Sequence, residues 1–154
     1  KNLLLLSKIE KNIAVPNEDV KVNEAIKEQL SFFEEQSQQK HISIEFVESA
    51  EINLHTNKAF LDVLISNMLM NAIRHNVADG IIKIEITRTE LIISNTGIAE
   101  PINENMLYNR FGKMATSKEG NGLGLSIVKK IVSVNEWAIS YSFENKMHRF
   151  RIEF

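Results

Sequence analysis

Four stretches of this chain alternate apolar and polar residues with a period of two, and that alternation limits the fold more than any other feature. Residues 41–47 place Ile42, Ile44 and Phe46 on one side, and residues 82–87 set Ile82, Ile84 and Ile86 against Lys83, Glu85 and Thr87. Near the end, Ile139, Tyr141 and Phe143 alternate with serines, then Phe150, Ile152 and Phe154 alternate with Arg149, Arg151 and Glu153. The link between those last two, Glu144-Asn145-Lys146, reads as a hairpin turn. Successive strand side chains point to opposite faces, so each strand has one face to bury and one to leave wet.

Between the strands the apolar spacing changes to three and four. Residues 24–39 carry Ile26, Leu30 and Phe33 on one face behind Asn23, the expected cap. Residues 58–76 form a long apolar-rich helix, residues 91–94 a further short strand, and residues 126–134 another helix-like run. Residues 1–11 put Leu3, Leu6 and Ile9 at helical spacing, and Pro16 ends any helix there. One-sided strands and one-sided helices cover each other. The expected fold is therefore α+β: a two-layer α/β sandwich with helices packed on one face of a mixed sheet and the other face wet. With 154 residues, 44% of them hydrophobic, the chain can bury one core and is expected to be one domain. Residues 103–121 are less regular, hold Gly112, Ser117, Lys118 and Gly120, and are long enough for a functional lid.

Charge and composition remove several function classes. A formal net charge of -2 provides no general basic field, so neither nucleic acid nor membrane contact is expected. The absence of cysteine excludes a disulfide scaffold, a thiol nucleophile and a thiolate zinc site. The early apolar run from Leu3 to Leu6 is far too short to cross a bilayer. His41, His55, His75 and His148 are scattered along the chain, without the helical spacing of a zinc site. Because the first residue is Lys1 rather than a methionine, a longer parent is expected.

Three segments carry polar chemistry. At helical spacing Asn67, Asn71 and Arg74 fall within about 60° of one another, on a helix otherwise made of Leu64, Ile65, Met68, Leu69 and Ile73. Left unpaired in an interior each would cost about 1 to 3 kcal/mol, so the stripe faces either solvent and loop or a polar ligand. An asparagine oxygen suits magnesium, and an arginine one turn on suits phosphate. An amide at 67 cannot act as a general base. Next, Ser94-Asn95-Thr96-Gly97 closes a strand; it is either a plain turn or a place from which Asn95 reads a base edge. Last, Gly120-Asn121-Gly122-Leu123-Gly124-Leu125 runs into a helix, and glycines before a helix start let backbone N–H groups approach phosphate. It is not a P-loop, since the only Gly-Lys pair, Gly112-Lys113, is followed by Met114. A dinucleotide fingerprint would need glycine at Leu125. Lys113 and Lys118 flank Ser117 within the expected lid.

In order and spacing these segments resemble the boxes of one family. Asn67-x-x-x-Asn71-Ala72-x-Arg74-His75 resembles the N box of sensor histidine kinases, and Asn95-x-Gly97 their first glycine box. Tyr108-x-Arg110-Phe111 resembles their F box, and Gly120-x-Gly122-Leu123-Gly124-Leu125 their second glycine box. Residues 14–154 are thus similar to the catalytic and ATP-binding domain of a histidine kinase, and residues 1–13 to the end of the second dimerisation helix. The resemblance implies a Bergerat-type ATP-binding sandwich with a mobile ATP lid. It implies that Asn71 holds magnesium and phosphate, with Asn67 beside it and Arg74 and His75 near the phosphates. Asn95 would read adenine and Gly97 would form the turn beneath the base. Gly120, Gly122, Leu123, Gly124 and Leu125 would form the lid hinge and phosphate cradle, with Lys113 and Lys118 as basic lid residues.

The implied reaction is transfer of the γ-phosphoryl group of ATP to a histidine of a dimerisation domain, with a response regulator receiver domain as the next partner. None of the four histidines is followed by the acidic and basic residues of the family's acceptor box, so the acceptor lies outside this chain. A monomeric fragment of a homodimeric, cytoplasmically located kinase is the resulting expectation, with a membrane-anchored parent left open. Two departures stand out: Asn95 replaces the usual aspartate, and Ala99 replaces a glycine. An asparagine free to rotate would match either adenine or guanine, so softened base discrimination is expected. Asn135-Glu136-Trp137 also replaces a glycine-containing turn. Three other readings stay open: an anti-sigma-type serine kinase, a nucleotide-binding regulatory pseudokinase, and an interaction domain without a ligand. The helical remnant at residues 3–9 argues against the first.

Overall fold

A computed structural model describes residues 2–11, 16–108 and 124–154. In chain order the elements are α1 (Asn2–Glu10), β1 (Glu18–Lys21), α2 (Val22–Gln39), β2 (Ser43–Glu48), β3 (Asn53–Thr56), α3 (Lys58–Arg74), β4 (Ile81–Ile86), β5 (Glu90–Thr96), α4 (Glu104–Leu107), α5 (Gly124–Val134), β6 (Ala138–Glu144) and β7 (Met147–Glu153). The main sheet runs β2-β4-β5-β7-β6, and β1 pairs with β3 in a small second sheet. Among the described strands only β2 and β4 run parallel. A parallel pair cannot be closed by a tight turn, and here α3 lies in the crossover between them.

Register carries the predicted alternation through the sheet. Ile82, Ile84 and Ile86 stand opposite Asn95, Ile93 and Leu91, which in turn stand opposite His148, Phe150 and Ile152. All nine are buried. Lys83 and Glu85, with Ser94 and Arg149, belong to the other parity and therefore to the other face. The helices cover the first face: α3 packs on β5 and between α2 and α5, and α1 packs on α5. This is the expected α+β sandwich. Leu61, Leu64 and Ile65 of α3 are wholly buried, which explains why that helix is apolar nearly all round. Asn57 begins it, its Oδ1 accepting from Phe60 N at 3.0 Å while its Nδ2 donates to Pro16 O at 2.9 Å.

Two local expectations are corrected, and one pair of strands goes unannounced. Asn23 does not cap α2, which starts at Val22 with Lys21 at the cap position. Its buried amide instead donates to Glu48 Oε1 and Ala50 O and accepts from Ile52 N, tying the end of β2 to the helix. Helix α3 stops at Arg74 rather than residue 76, because Asn76 is drawn into the turn that follows. The β1–β3 pair has no alternation to announce it; Val20 is the only buried residue of β1. The hairpin at Asn145-Lys146 has φ of 52° and 61°, as a primed turn requires. Glu136 occupies the left-handed position after α5 at φ 58°, with Trp137 N donating to Val132 O at 2.9 Å, so the missing glycine is replaced under mild strain. Among the described residues no helix is long and apolar enough to cross a membrane.

Candidate functional site

Of the polar stripe of α3, Asn67 faces the start of α5 rather than open solvent. Asn67 is 7% exposed, and its Nδ2 donates to Val63 O at 2.8 Å. Its Oδ1 lies 3.4 Å from where a Cβ on Gly124 would stand. Gly124 and Leu125 open α5, so the first and last motifs meet here although more than fifty residues separate them in the chain. One turn further, Asn71 is half-buried and its amide makes no hydrogen bond among the described residues. The Arg74 guanidinium rests on Met70, with Nη2 3.2 Å from Sδ, and pairs with no carboxylate among the described residues.

His75 ends the helix, its backbone N–H donating to Asn71 O at 3.0 Å. Lys40 Nζ donates to Ile73 O at 3.1 Å and to Arg74 O at 3.3 Å, placing one cation at the C-terminal end of the helix. Burial pushes the His75 imidazole below its usual range, and the positive charges of Arg74 and Lys40 push the same way.

The end of β5 lies against the end of α3. Asn95 is 3% exposed and sits on the helix-facing side. Its Nδ2 donates to Thr96 O at 2.8 Å. A carbonyl only accepts, so turning the amide over would set two oxygens against each other. The freely rotating Asn95 expected above is corrected: Oδ1 remains as an acceptor, as in an aspartate. A Cβ on Gly97 would stand 2.9 Å from His75 O and 3.1 Å from His148 Cδ2. Only glycine lets the strand exit this close to the end of α3.

Four residues that matter here were missed from sequence. Thr96 Oγ1 donates to Asn76 Oδ1 at 2.6 Å and accepts from Ile81 N at 2.8 Å, clasping the end of β5 to the turn after α3. A Cβ on Gly80 would overlap Asn76 Oδ1. The Asp79-Gly80 pair is a turn signal that could have pointed to that loop. His148 and Tyr141 are the other two, and they read as ordinary members of alternating strands. His75 and His148, scattered in sequence, converge on Gly97, whereas His41 ends α2 and His55 pairs with Asp19 at 2.9 Å on the surface. Tyr108 lies under Lys129 Nζ, 5.2 Å from the ring centre. Arg110, Phe111, Lys113, Lys118, Gly120, Gly122 and Leu123 lie outside the described residues, as does most of the expected lid.

The family model described as histidine kinase-, DNA gyrase B-, and HSP90-like ATPase matches residues 56–154. The sensor histidine kinase HprS of Escherichia coli K12 is 31% identical over 98% of this chain and 34% of that protein. The chain thus spans about a third of that relative's length. Among solved structures, the nucleotide-free catalytic domain of histidine kinase ThkA superposes with a TM-score of 0.77 at 27% identity, covering 91% of this chain and 95% of that one. ThkA in complex with the response regulator protein TrrA matches with a TM-score of 0.70 at 25% identity, over 99% of this chain and 47% of that one.

Proposed function

The chain belongs to the family of histidine kinase-, DNA gyrase B- and HSP90-like ATPases, and from that premise we propose that it is the ATP-binding catalytic domain of a sensor histidine kinase. It binds ATP with magnesium and passes the γ-phosphoryl group to a histidine of a dimerisation domain, in two-component signalling. The observation that carries this reading is the approach of Asn67 Oδ1 to the Gly124 position, because it brings the amide stripe and the end of the glycine-rich run to one place. Residues 1–13 are the end of the second dimerisation helix and residues 14–154 the catalytic domain. A response regulator receiver domain is the downstream partner, a role supported by the ThkA–TrrA complex.

Each residue has a share in this chemistry. Asn71, whose amide is uncommitted among the described residues, would hold magnesium through its oxygen, and the bound ion would neutralise phosphate charge. Arg74 and neutral His75 meet the phosphates, the first as a charge and the second as a hydrogen-bonding group. Asn67 stands one turn before Asn71 and beside the start of α5. By the family resemblance, Gly120, Gly122, Leu123, Gly124 and Leu125 would offer backbone N–H groups to the phosphates, and Lys113 and Lys118 would add positive charge. Asn95 accepts from the adenine amine above Gly97. The neutral imidazole acceptor is already a nucleophile, so catalysis rests on positioning and charge, and an amide at 67 suffices where a hydrolase would need a base.

The test supplies this chain with ATP, magnesium and a separately purified dimerisation domain carrying the acceptor histidine. Acid-labile, base-stable label on that domain, with none on this chain alone, is the expected result. Failure of ATP to raise the melting temperature would reject the reading at its first step.

A further inference from the structure

His148 is 3% exposed, and both its ring nitrogens are engaged. Nε2 lies 2.9 Å from Ile98 O, and that carbonyl can only accept, so Nε2 carries the hydrogen. Neutral imidazole then accepts at Nδ1 from the Tyr141 hydroxyl at 2.8 Å. The Tyr141 oxygen in turn accepts from Ile102 N at 2.9 Å. Donors and acceptors match at every step from Ile102 through Tyr141 and His148 to Ile98. The relay pins both ends of residues 98–102, the segment leaving β5, onto the β6–β7 hairpin.

The same ring also stands directly across the ladder from Asn95 and beneath Gly97. Tyr141 stacks on it at 6.0 Å and Phe143 leans on it at 4.8 Å, which fixes its plane. Along this face of β7 the next two inward residues are Phe150 and Ile152, so packing alone would be served by another apolar side chain. We infer that His148, oriented by Tyr141, is a positioning residue for purine recognition. It holds Asn95 to Ile98 so that Asn95 Oδ1 meets the exocyclic amine of adenine. This rests on the nucleotide reading above.

The test compares the dissociation constants of ATP and of purine riboside triphosphate, which lacks that amine, on the same protein preparation. A ratio of two constants is insensitive to loss of folded protein, so a merely structural role leaves it unchanged. The 154-residue chain is expected to prefer ATP by roughly five- to tenfold, the worth of one neutral hydrogen bond. His148→Phe should bring the ratio close to one. Tyr141→Phe, which removes a single hydroxyl, should lower it about threefold, and His148→Gln, which keeps a donor for Ile98 O, should restore much of it. If His148→Phe does not fold, Tyr141→Phe decides alone. A wild-type preference retained in both phenylalanine variants overturns the inference while leaving the nucleotide site standing. No ATP binding, or no preference in the wild type, overturns the site reading and the inference with it.

Discussion

The two walls of the site are built in opposite ways. At the end of β5 the polar groups are committed: Asn95 to Thr96, Thr96 to Asn76, and His148 to Ile98 and Tyr141. Along the polar stripe of α3 only Asn67 is committed, to Val63; Asn71 bonds nothing through its side chain, and Arg74 has only a thioether, among the described residues. In the function proposed, the first reads a flat base and can be finished in advance, since its partner arrives with one fixed edge. Groups that neutralise phosphate must be left without partners, because a satisfied amide or guanidinium would have to break a bond before taking the ligand.

Asn71→Ala would sharpen this contrast most. Removing an uncommitted amide should lower phosphoryl transfer to a dimerisation domain at least about 100-fold, while stability holds or rises slightly, since alanine favours a helix by about 0.5 kcal/mol. Radiolabel transfer read beside thermal melting checks both halves, and undiminished transfer would remove Asn71 from the site. Gly97→Ala should act on the finished wall in the reverse sense. The added methyl must displace His75 O or the His148 ring, costing about 1 to 3 kcal/mol in urea unfolding and weakening ATP binding along with it. An unchanged midpoint would mean that this wall yields.

Lys40→Met comes next. It withdraws two hydrogen bonds from the last carbonyls of α3 and should cost about 0.5 to 1 kcal/mol, screened by salt, with little change in nucleotide preference. The smallest effect concerns pH. Burial and neighbouring cations hold folded His75 below the range where unfolded imidazole titrates, near pH 6.5. The unfolded chain therefore binds the extra proton first, and stability drops as pH falls from about 7 through that range. His75→Gln should make the fall in melting temperature between pH 7 and pH 5 shallower; an identical slope would assign the loss to other groups.

Period-two alternation and the apolar run of α3 were sufficient to foresee a helical layer on a mixed sheet, because burial of one-sided elements is a property of local pattern. The family could be read from short runs for a similar reason, since Asn67, Asn71 and Arg74 share one helix face and Asn95 and Gly97 close one strand. What the residue order by itself determined is therefore which elements form and which segments carry polar chemistry. Only the tertiary structure decided who meets whom. Asn23 became a clamp on Ala50 and Ile52 instead of a cap, Asn95 lost its rotation to Thr96, and His148, an unremarked strand residue, came to lie under Gly97. Such pairings join residues 27 to 51 positions apart, apart from the contact of Asn95 with its neighbour, and depend on register and layer packing. A one-residue shift of β7 would turn His148 to the other face of the sheet.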